Sequence, residues 1–293
     1  MISKYGIFCK VIEYGNFTKV ADMLGYSQSA VSQSVKSLEA ELGYTLIDRS
    51  MDGIRLTADG EQFYPYIKSV NAAETELSNK QREMNGLANN TIRIGTFTGI
   101  SRNFLPPLIK SFKQRYPQVT FALCQGEYTS IAEWIKSGEV DFGFVNSDAV
   151  SGIEMKPLYT ERMMAVLPLG HRLAEFDEVS LVDLSAEPFI LLDEGKNSVA
   201  IDAFARKGIA LSPAYEVYDD YTILSMIRQN IGVSLLYERV LKGYEKDLAI
   251  RPVRENPARQ VALAWRNIKT MPKAARLFMN YIDTAALGFC HLS

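Results

Sequence analysis

The chain has few of the residues that metal and redox chemistry require. Its 293 residues include only three cysteines and two histidines. Cys9, Cys124 and Cys290 are an odd number, lie far apart and form no C-x-x-C pair, so we expect free thiols in a reducing compartment. Without a Cys/His cluster there is no pattern for a zinc site. We therefore predict no metal and no cofactor.

Long hydrophobic runs are also missing. No stretch approaches 18 consecutive apolar residues, so we expect no membrane span and no membrane partner. The first fifteen residues, "MISKYGIFCKVIEYG", carry Lys10 and Glu13 within the apolar run and lack the core of a secretory signal. These absences predict a cytoplasmic localisation.

The motifs of the common enzyme classes do not occur. The sequence contains no G-x-G-x-x-G, P-loop, G-x-S-x-G or H-E-x-x-H. His171 lies in a Pro/Gly turn and His291 at the tail, and a single histidine in a loop is more often a surface residue than a catalytic one. We predict that the chain is not an enzyme.

The chain has no excess of positive charge. Its formal net charge is -2, with 47% hydrophobic and 23% charged residues, which is typical of a soluble globular protein. Any affinity for nucleic acid must therefore come from a local pattern. The length predicts two or three folding units.

The first forty residues have the spacing of a helix-turn-helix. Residues 3–14 predict a helix that stops at Gly15. Thr18 is the expected N-cap of a second, short helix ending at Gly25, and Ser27 is the expected cap of a third. Two short helices joined by a tight glycine turn are typical of this motif.

The third helix, "SQSAVSQSVKSLE", has one polar side without acidic residues. At 100° per residue, Val31, Val35 and Leu38 fall together and should pack inward. Gln33 on the opposite side can pair with adenine, and Lys36 can meet guanine or phosphate. The alternative is an ordinary solvated face. The position of the helix in a compact triplet favours DNA reading.

A hairpin should follow this helix. Two short strands are expected around "RSMDG", the first with Leu42, Leu46 and Ile47 and the second with Ile54 and Leu56, which makes a winged helix-turn-helix. Residues 1–66 carry six basic side chains against eight acidic ones, so this domain should bind DNA weakly unless two copies act together. The candidate DNA-binding residues are Thr18, Ser27, Gln28, Ser29, Ser32, Gln33, Lys36, Arg49 and Arg55.

A long helix with a seven-residue repeat comes next. Thr57 should cap it, and the repeat consists of Phe63, Val70, Leu77 and Met84. This period predicts a dimer seam, although the intermediate positions Ile67, Glu74 and Gln81 are only partly apolar. The alternative is a helix packed on its own domain. "NGLANN", residues 85–90, should break the helix as a hinge.

Strands and helices alternate from residue 91 onward, which predicts a parallel α/β sheet. Ligands of such sheets bind at the carboxyl ends of strands. The residues that follow the expected strands are Thr98, Gly99, Ile100, Ser101, Gln125, Glu127, Asn146, Asp193, Gly195 and Asn197. The backbone N–H groups of residues 98–101 and their two hydroxyls suit a carboxylate. Alternatively, Thr98 or Ser101 is only an N-cap, and Asp193 and Asn197 only shape a loop.

Two segments, "FTKVADMLGYSQSAVSQSVKSLEAELGYTLIDR" and "RLTADGEQFYPY", resemble the LysR-type transcriptional regulators. The resemblance covers the whole chain and is weaker after residue 90. It implies a winged helix-turn-helix in residues 1–58, a dimerising linker helix and hinge in 59–90, and a two-lobed, periplasmic-binding-protein-like α/β effector domain in 91–293. The chain should cross between lobes near Tyr159–Arg162 and return near Arg266. Lobe 1 would be residues 91–160 and 267–293, and lobe 2 residues 161–266.

The resemblance also implies a function. Such a regulator is a homodimer, or a homotetramer assembled from dimers, that binds an interrupted inverted repeat in double-stranded promoter DNA. A small-molecule effector between the lobes changes promoter binding or DNA bending, and RNA polymerase is a further candidate partner. The alternative is a DNA-binding regulator controlled by a protein partner, with no small-molecule effector.

One residue departs from the family's pattern. Glu127 places a carboxylate where the family often offers a hydroxyl. This departure leaves room for an amine or another cationic ligand. Arg102 is close enough in sequence to be a candidate for neutralising Glu127.

Overall fold

The computed structural model describes residues 2–50, 53–84 and 91–289, without the side chains of residues 49, 50, 79, 82, 83 and 284–289. The predicted hinge at 85–90, the hairpin tip at 51–52, Cys290 and His291 lie outside the described residues. The chain divides into two compact units, Met1–Gln81 and Arg82–Ser293.

Three helices begin the first unit: α1 (Lys4–Tyr14), α2 (Phe17–Leu24) and α3 (Gln28–Leu42). The predicted cap Thr18 is wrong. Asn16 has an extended backbone, and its side chain accepts a hydrogen bond from Lys19 N at 3.0 Å, so α2 begins one residue before Thr18. Ser27 does cap α3, by accepting from Ala30 N at 3.2 Å.

The inner side of α3 is fully buried. Val31, Val35 and Leu38 pack with α1 and α2 in one core, as their spacing predicts. Leu42 ends α3, so its assignment to a strand is wrong. The helical stretch is longer than expected because glycine stops it only at Gly43, which has a left-handed backbone.

The hairpin pairs β1 (Ile47–Ser50) with β2 (Gly53–Leu56) in antiparallel register. Glu39 ties it to α3, because its Oε1 accepts from Leu46 N at 2.8 Å and from Ile47 N at 3.2 Å. The helix α4 (Ala58–Met84) follows, and Thr57 caps it by accepting from Gly60 N at 2.9 Å.

The second unit contains a nine-stranded sheet. Its strands are β3 (Thr91–Thr96), β4 (Thr120–Gln125), β5 (Phe142–Asn146), β6 (Glu154–Leu167), β7 (Phe189–Leu192), β8 (Tyr215–Val217), β9 (Val233–Tyr237), β10 (Ala249–Arg251) and β11 (Ala258–Trp265). Its helices are α5 (Leu105–Arg115), α6 (Tyr128–Ser137), α7 (Leu181–Ser185), α8 (Val199–Arg206), α9 (Asp220–Arg228) and α10 (Lys273–Phe289). The strand order is β4-β3-β5-β11-β6-β9-β7-β8, and β10 pairs with β6.

The predicted parallel pairing is found in two groups of strands but not throughout the sheet. The groups β4-β3-β5 and β8-β7-β9 are parallel, but β6 and β11 run antiparallel to their neighbours. These two strands join the parallel groups, so the sheet is mixed.

Two separate hydrophobic cores pack against the sheet and define two lobes. Residues 154–162 of β6 pair with β11, and residues 163–167 pair with β9 and β10, so one long strand passes between the lobes. The chain returns to the first lobe with β11, earlier than the return predicted near Arg266. β11 pairs with β5, and Val261 to Ala264 are buried in the core of the first lobe.

Candidate functional site

The outer face of α3 is open. Gln28, Ser29, Ser32, Gln33, Lys36 and Ser37 line one shallow surface. In the part of the chain that the structure describes, Gln33 and Lys36 are exposed and make no hydrogen bond or ion pair within the protein. Their polar groups are therefore free to meet an external partner.

The acidic residues of α3 are engaged elsewhere. Glu39 accepts the two backbone N–H groups of the hairpin. Glu41 pairs with Lys4 and accepts from the hydroxyl of Tyr5, and the Lys4 ammonium holds the pKa of Glu41 below its usual range. The domain has more acidic than basic side chains. Even so, neither carboxylate of α3 lies free on its outer face.

The remaining DNA-binding candidates lie beside α3 or on the hairpin. Thr18 is exposed in the first turn of α2. Arg55 is exposed on β2 opposite Asp48, and Arg49 lies in β1 opposite Ile54, with its side chain outside the description.

An apolar stripe on α4 is exposed, and it keeps Val70, Leu77 and Met84 of the predicted seam but not Phe63. Phe63 contacts the ring of Tyr44 in a tilted arrangement, with ring centroids 5.2 Å apart, and is not free for a seam. Ile67 is buried in the same domain, and Glu74 accepts a hydrogen bond from Ser3. One side of α4 thus faces its own domain.

Three of the four predicted seam residues are exposed, and Tyr66 and Ala73 lie with them on the same side of the helix. Tyr66 is 72% exposed, Leu77 73% and Met84 79%, and Val70 is 40% exposed. Ala73 is exposed between them. These five residues, spaced by three, four or seven positions, define the α4 stripe, which is more continuous than the predicted seam because the polar positions 74 and 81 are not part of it.

A cleft lies between the two lobes of the second unit. It is partly open to solvent, and the space between its lining atoms, with that open solvent included, is about 470 Å³. Its lining residues are Phe97, Thr98, Gly99, Gln125, Gly126, Glu127, Tyr128, Leu192, Asp193, Glu194, Tyr218, Asp220, Tyr237, Val240 and Arg259. Five residues from the sequence prediction are among them: Thr98, Gly99, Gln125, Glu127 and Asp193.

The predicted carboxylate site at residues 98–101 does not form. Ile100 N and Ser101 N both donate to Phe97 O at 3.0 Å, and the chain enters a π-helical turn at Ile100–Phe104. Ile100 is fully buried in the core, and the Ser101 hydroxyl donates to Thr98 O at 3.2 Å. Neither residue lines the cleft.

Three further candidates do not line the cleft. Asn146 is buried and its side chain accepts from Asp148 N at 3.3 Å, so it shapes the turn after β5 and not the cleft. Asn197 Nδ2 donates to Ala149 O at 3.2 Å, which links the two lobes. Gly195 does not line the cleft. It packs against the carboxylate of Glu127, and a Cβ at Gly195 would lie 2.1 Å from Glu127 Oε2.

The floor of the cleft is a buried polar network centred on Arg259 in β11. Arg259 Nε and Nη2 donate to Glu161 Oε2 at 3.0 and 2.6 Å, and Nη1 donates to the hydroxyl of Tyr128 at 2.5 Å. The hydroxyls of Tyr128 and Tyr237 donate to Glu194 Oε1 at 2.8 and 2.7 Å. Tyr128 and Arg259 belong to the first lobe, and Glu194 and Tyr237 to the second, so the network holds the lobes together.

Burial controls the ionisation of these groups. It raises the pKa of Glu194 against the opposing effect of Arg259 and of the two tyrosine hydroxyls. It also raises the pKa of Asp220, the first residue of α9, to about 6. An ionised carboxylate at this position is therefore costly in the unliganded protein.

Replacing Asp220 by asparagine should stabilise the unliganded protein. The shift from 3.8 to about 6 corresponds to up to about 3 kcal/mol of unfolding free energy above pH 6. Because the folded-state pKa is raised, this gain should shrink as the pH falls from about 6 towards 4. Urea unfolding at several pH values, followed by tryptophan fluorescence, measures it, since Trp134 and Trp265 both lie in the second unit. Equal stability of wild type and Asp220→Asn at all pH values would contradict the expected cost.

Several cleft residues escaped the sequence prediction. Tyr128 and Glu194 are direct neighbours of the predicted Glu127 and Asp193, so a wider window after each strand would have found them. Arg259 had a different signal, since it is a charged residue in the mostly apolar strand "ARQVALAW". Tyr237 and Asp220 lie at element ends and had no signal of their own.

Neither metal nor membrane chemistry has support in the described residues. Among them, no cluster of histidine, cysteine and carboxylate side chains could hold a metal ion. Nor does any of the helices described combine the length and apolar character that a bilayer crossing needs.

Two family models match the chain. The "Bacterial regulatory helix-turn-helix protein, lysR family" model matches residues 2–61, and the "LysR substrate binding domain" model matches residues 85–286. Together they span both units, including α3 and the cleft.

Similar proteins carry regulator descriptions. The chain is 34% identical to the uncharacterized HTH-type transcriptional regulator YvbU of Bacillus subtilis (strain 168) over 95% of this chain and 96% of that protein. It is 33% identical to the transcriptional dual regulator GltC of the same organism over 79% and 78% of the two chains.

Solved structures show the same fold. HinK, a LysR family transcriptional regulator from Pseudomonas aeruginosa, aligns with a TM-score of 0.61 and 29% identity over 97% of each chain. CbnR, another LysR family regulator, aligns with a TM-score of 0.66 over 97% of this chain and 98% of that one; at 21% identity it shows the fold alone.

Proposed function

Because the chain belongs to the LysR-type transcriptional regulators and is a DNA-binding regulator with a substrate-binding domain, we propose that it reads an inverted repeat with α3 and answers to a small molecule in its interlobe cleft. In this proposal, residues 1–58 bind DNA, residues 59–90 dimerise, and residues 91–293 sense the effector. The chain acts by binding and not by catalysis.

The observation that carries the proposal is the free polar face of α3. Gln33 and Lys36 are exposed, have no partner among the described residues, and sit on a helix whose other side is locked into the domain core. A rigid helix with free amide and ammonium groups suits the major groove, where a glutamine pairs with adenine and a lysine with guanine or phosphate. Arg49 and Arg55 of the hairpin are proposed to hold the flanking phosphates.

Two copies are needed for tight binding. One DNA-binding domain has no net positive charge, so its electrostatic attraction to DNA is weak. We propose that the α4 stripes of two chains pack together and place two copies of α3 on one inverted repeat. A homodimer, or a homotetramer of two such dimers, follows from this arrangement.

The test is selection of genomic fragments by the full-length protein at two salt concentrations. We expect fragments with a common interrupted inverted repeat, retained at the higher salt. Weak retention that disappears with salt and selects no sequence would mean that the face of α3 is merely solvated, and the proposed reading of DNA would fail.

Replacing Gln33 by alanine should relax the sequence preference at one position of each half-site. The expected loss is about 1–3 kcal/mol of discrimination per bidentate contact. The measurement compares binding to a set of single-base operator variants. Ser34→Ala is a matched control, because the Ser34 hydroxyl donates to Ala30 O of its own helix. An unchanged preference in Gln33→Ala would remove Gln33 from the reading set.

The effector acts through the lobes. A ligand shifts the arrangement of the DNA-binding domains only if it binds one lobe arrangement better than another. The network of Arg259, Glu194, Tyr128 and Tyr237 joins the lobes at the floor of the cleft, which makes it the element that a ligand would bias.

Control by a protein partner is the second candidate. In that case no small molecule would stabilise the protein, because the cleft would be vestigial. A ligand that binds the folded state must raise its stability, so ligand-dependent thermal stabilisation of the full-length chain separates the two candidates.

A further inference from the structure

The charges that face the cleft are mostly negative. Glu127, Asp193, Glu194 and Asp220 line it, and Arg259 is the only cation among the described residues that do so. A ligand that enters therefore meets four carboxylates and one guanidinium.

That guanidinium is already neutralised. Two nitrogens of Arg259 bind Glu161 Oε2, and the third binds the hydroxyl of Tyr128. The ring of Tyr237 covers the guanidinium at 3.4 Å from its centroid. Arg259 thus has little capacity left to hold the carboxylate of a ligand.

Arg102 does not supply the missing positive charge. Its guanidinium stacks on the ring of Tyr221 at 3.6 Å and reaches the hydroxyl of Tyr244 at 3.5 Å. It does not line the cleft, and no ion pair joins it to Glu127 in the part of the chain that the structure describes. Within the described residues, Arg102 therefore does not neutralise Glu127.

The buried carboxylate of Asp220 is a second, independent indication of a cationic ligand. Its relative exposure is 5%, it lines the cleft, and within the described residues its carboxylate makes no hydrogen bond or ion pair with another residue. The groups that act on it electrostatically are Arg259, Glu194 and Asp219. A buried carboxylate normally has a partner, so an unpartnered one at the wall of an open cleft points to a ligand group that completes it.

Glu127 lies at the same cleft, also without a hydrogen-bond partner among the described residues. Its carboxylate packs against Gly195 of the second lobe, where a Cβ would lie 2.1 Å from Oε2. Glycine at that position therefore leaves room for this carboxylate between the lobes.

Aromatic rings complete the lining. Phe97 and Tyr237 lie on the Arg259 guanidinium, at 4.1 and 3.4 Å, so rings of this cleft already accept a cation. Tyr218 also lines the cleft and is half-exposed. Carboxylates combined with ring faces are the chemistry that binds ammonium groups.

We propose that the effector carries a protonated or quaternary amine, which Asp220 and Glu127 bind and the ring of Tyr218 covers. This inference rests on the proposed small-molecule control and specifies the chemical class of the ligand.

The experiment uses the full-length protein and pairs of probes matched in size. Butylammonium is compared with butyrate, and putrescine with succinate, by thermal shift and titration calorimetry. We expect the amines to stabilise the protein more than the matched anions do. Glu127→Gln and Asp220→Asn should each weaken amine binding about tenfold or more, because a charge-assisted hydrogen bond is lost.

Glu216→Gln is the matched control, since it removes an exposed carboxylate from β8 outside the cleft. Equal amine effects in wild type, Glu127→Gln and Asp220→Asn would overturn the proposal, as would stronger stabilisation by the anions. If the anions stabilise the protein, control by a small molecule still stands and only the amine class is wrong. The genomic fragment selection tests the reading of DNA separately, and its result does not depend on the amine.

Discussion

Replacing Leu77 by glutamate should lower the oligomeric state by one step and weaken operator binding by about 100-fold or more. Leu77 is 73% exposed in one chain and lies in the middle of the α4 stripe. A glutamate there would bury two like charges against each other in the paired helices. Since each DNA-binding domain lacks net positive charge, losing the second copy removes most of the affinity. Sedimentation and operator titration measure the two effects.

Ser78→Glu is the control for this substitution. Ser78 is exposed on the next position of α4 and outside the α4 stripe, so the same charge should leave both oligomeric state and affinity unchanged. An unaltered oligomer in Leu77→Glu would exclude the α4 stripe as the contact between chains.

Replacing Arg259 by methionine should destabilise the second unit by about 3–5 kcal/mol. The guanidinium and the carboxylate of Glu161 are both almost fully buried, with 4% and 3% of their side chains exposed. Without Arg259, Glu161 Oε2 loses two hydrogen bonds, and Glu161 Oε1 has no hydrogen-bond partner in the described structure. Urea unfolding followed by tryptophan fluorescence reports this unit.

Arg254→Ala provides the comparison. Arg254 pairs with Glu178 at 3.0 Å, but both side chains are more than half exposed, so we expect little or no loss of stability. A second variant, Arg259→Met with Glu161→Leu, should recover part of the stability, because it removes the unpaired buried charge. Similar losses in Arg259→Met and Arg254→Ala would refute the central role of the buried network.

Most helix starts can be predicted from the sequence, because N-capping is an interaction between neighbouring residues. Ser27 and Thr57 each accept from a backbone N–H three residues ahead, as predicted, and Ser3 does the same for α1. The error at Thr18 has the same origin: Asn16 lies two residues earlier, and both residue types can cap a helix. Local sequence does not decide between two competent caps.

The strand β6 was not foreseen for a different reason. It contains Pro157 and several charged residues, so it lacks the apolar alternation of a half-buried strand. Its charges are satisfied by other elements, as when Arg162 pairs with Glu238 and Glu161 binds Arg259. A strand defined by distant partners carries no local periodic signal.

The sequence by itself determined the family, the polar face of α3 and five of the fifteen residues that line the cleft. These features depend on neighbouring residues: the polar face of α3, the caps around it, and the side chains directly after parallel strands. The tertiary structure alone decided that Tyr66, and not Phe63, lies on the free side of α4, because Phe63 contacts Tyr44 only when the domain folds. It also decided the chemistry of the cleft. Tyr128, Asp220 and Arg259 are far apart in the chain, and their shared burial creates both the neutralised guanidinium and the unpartnered carboxylate.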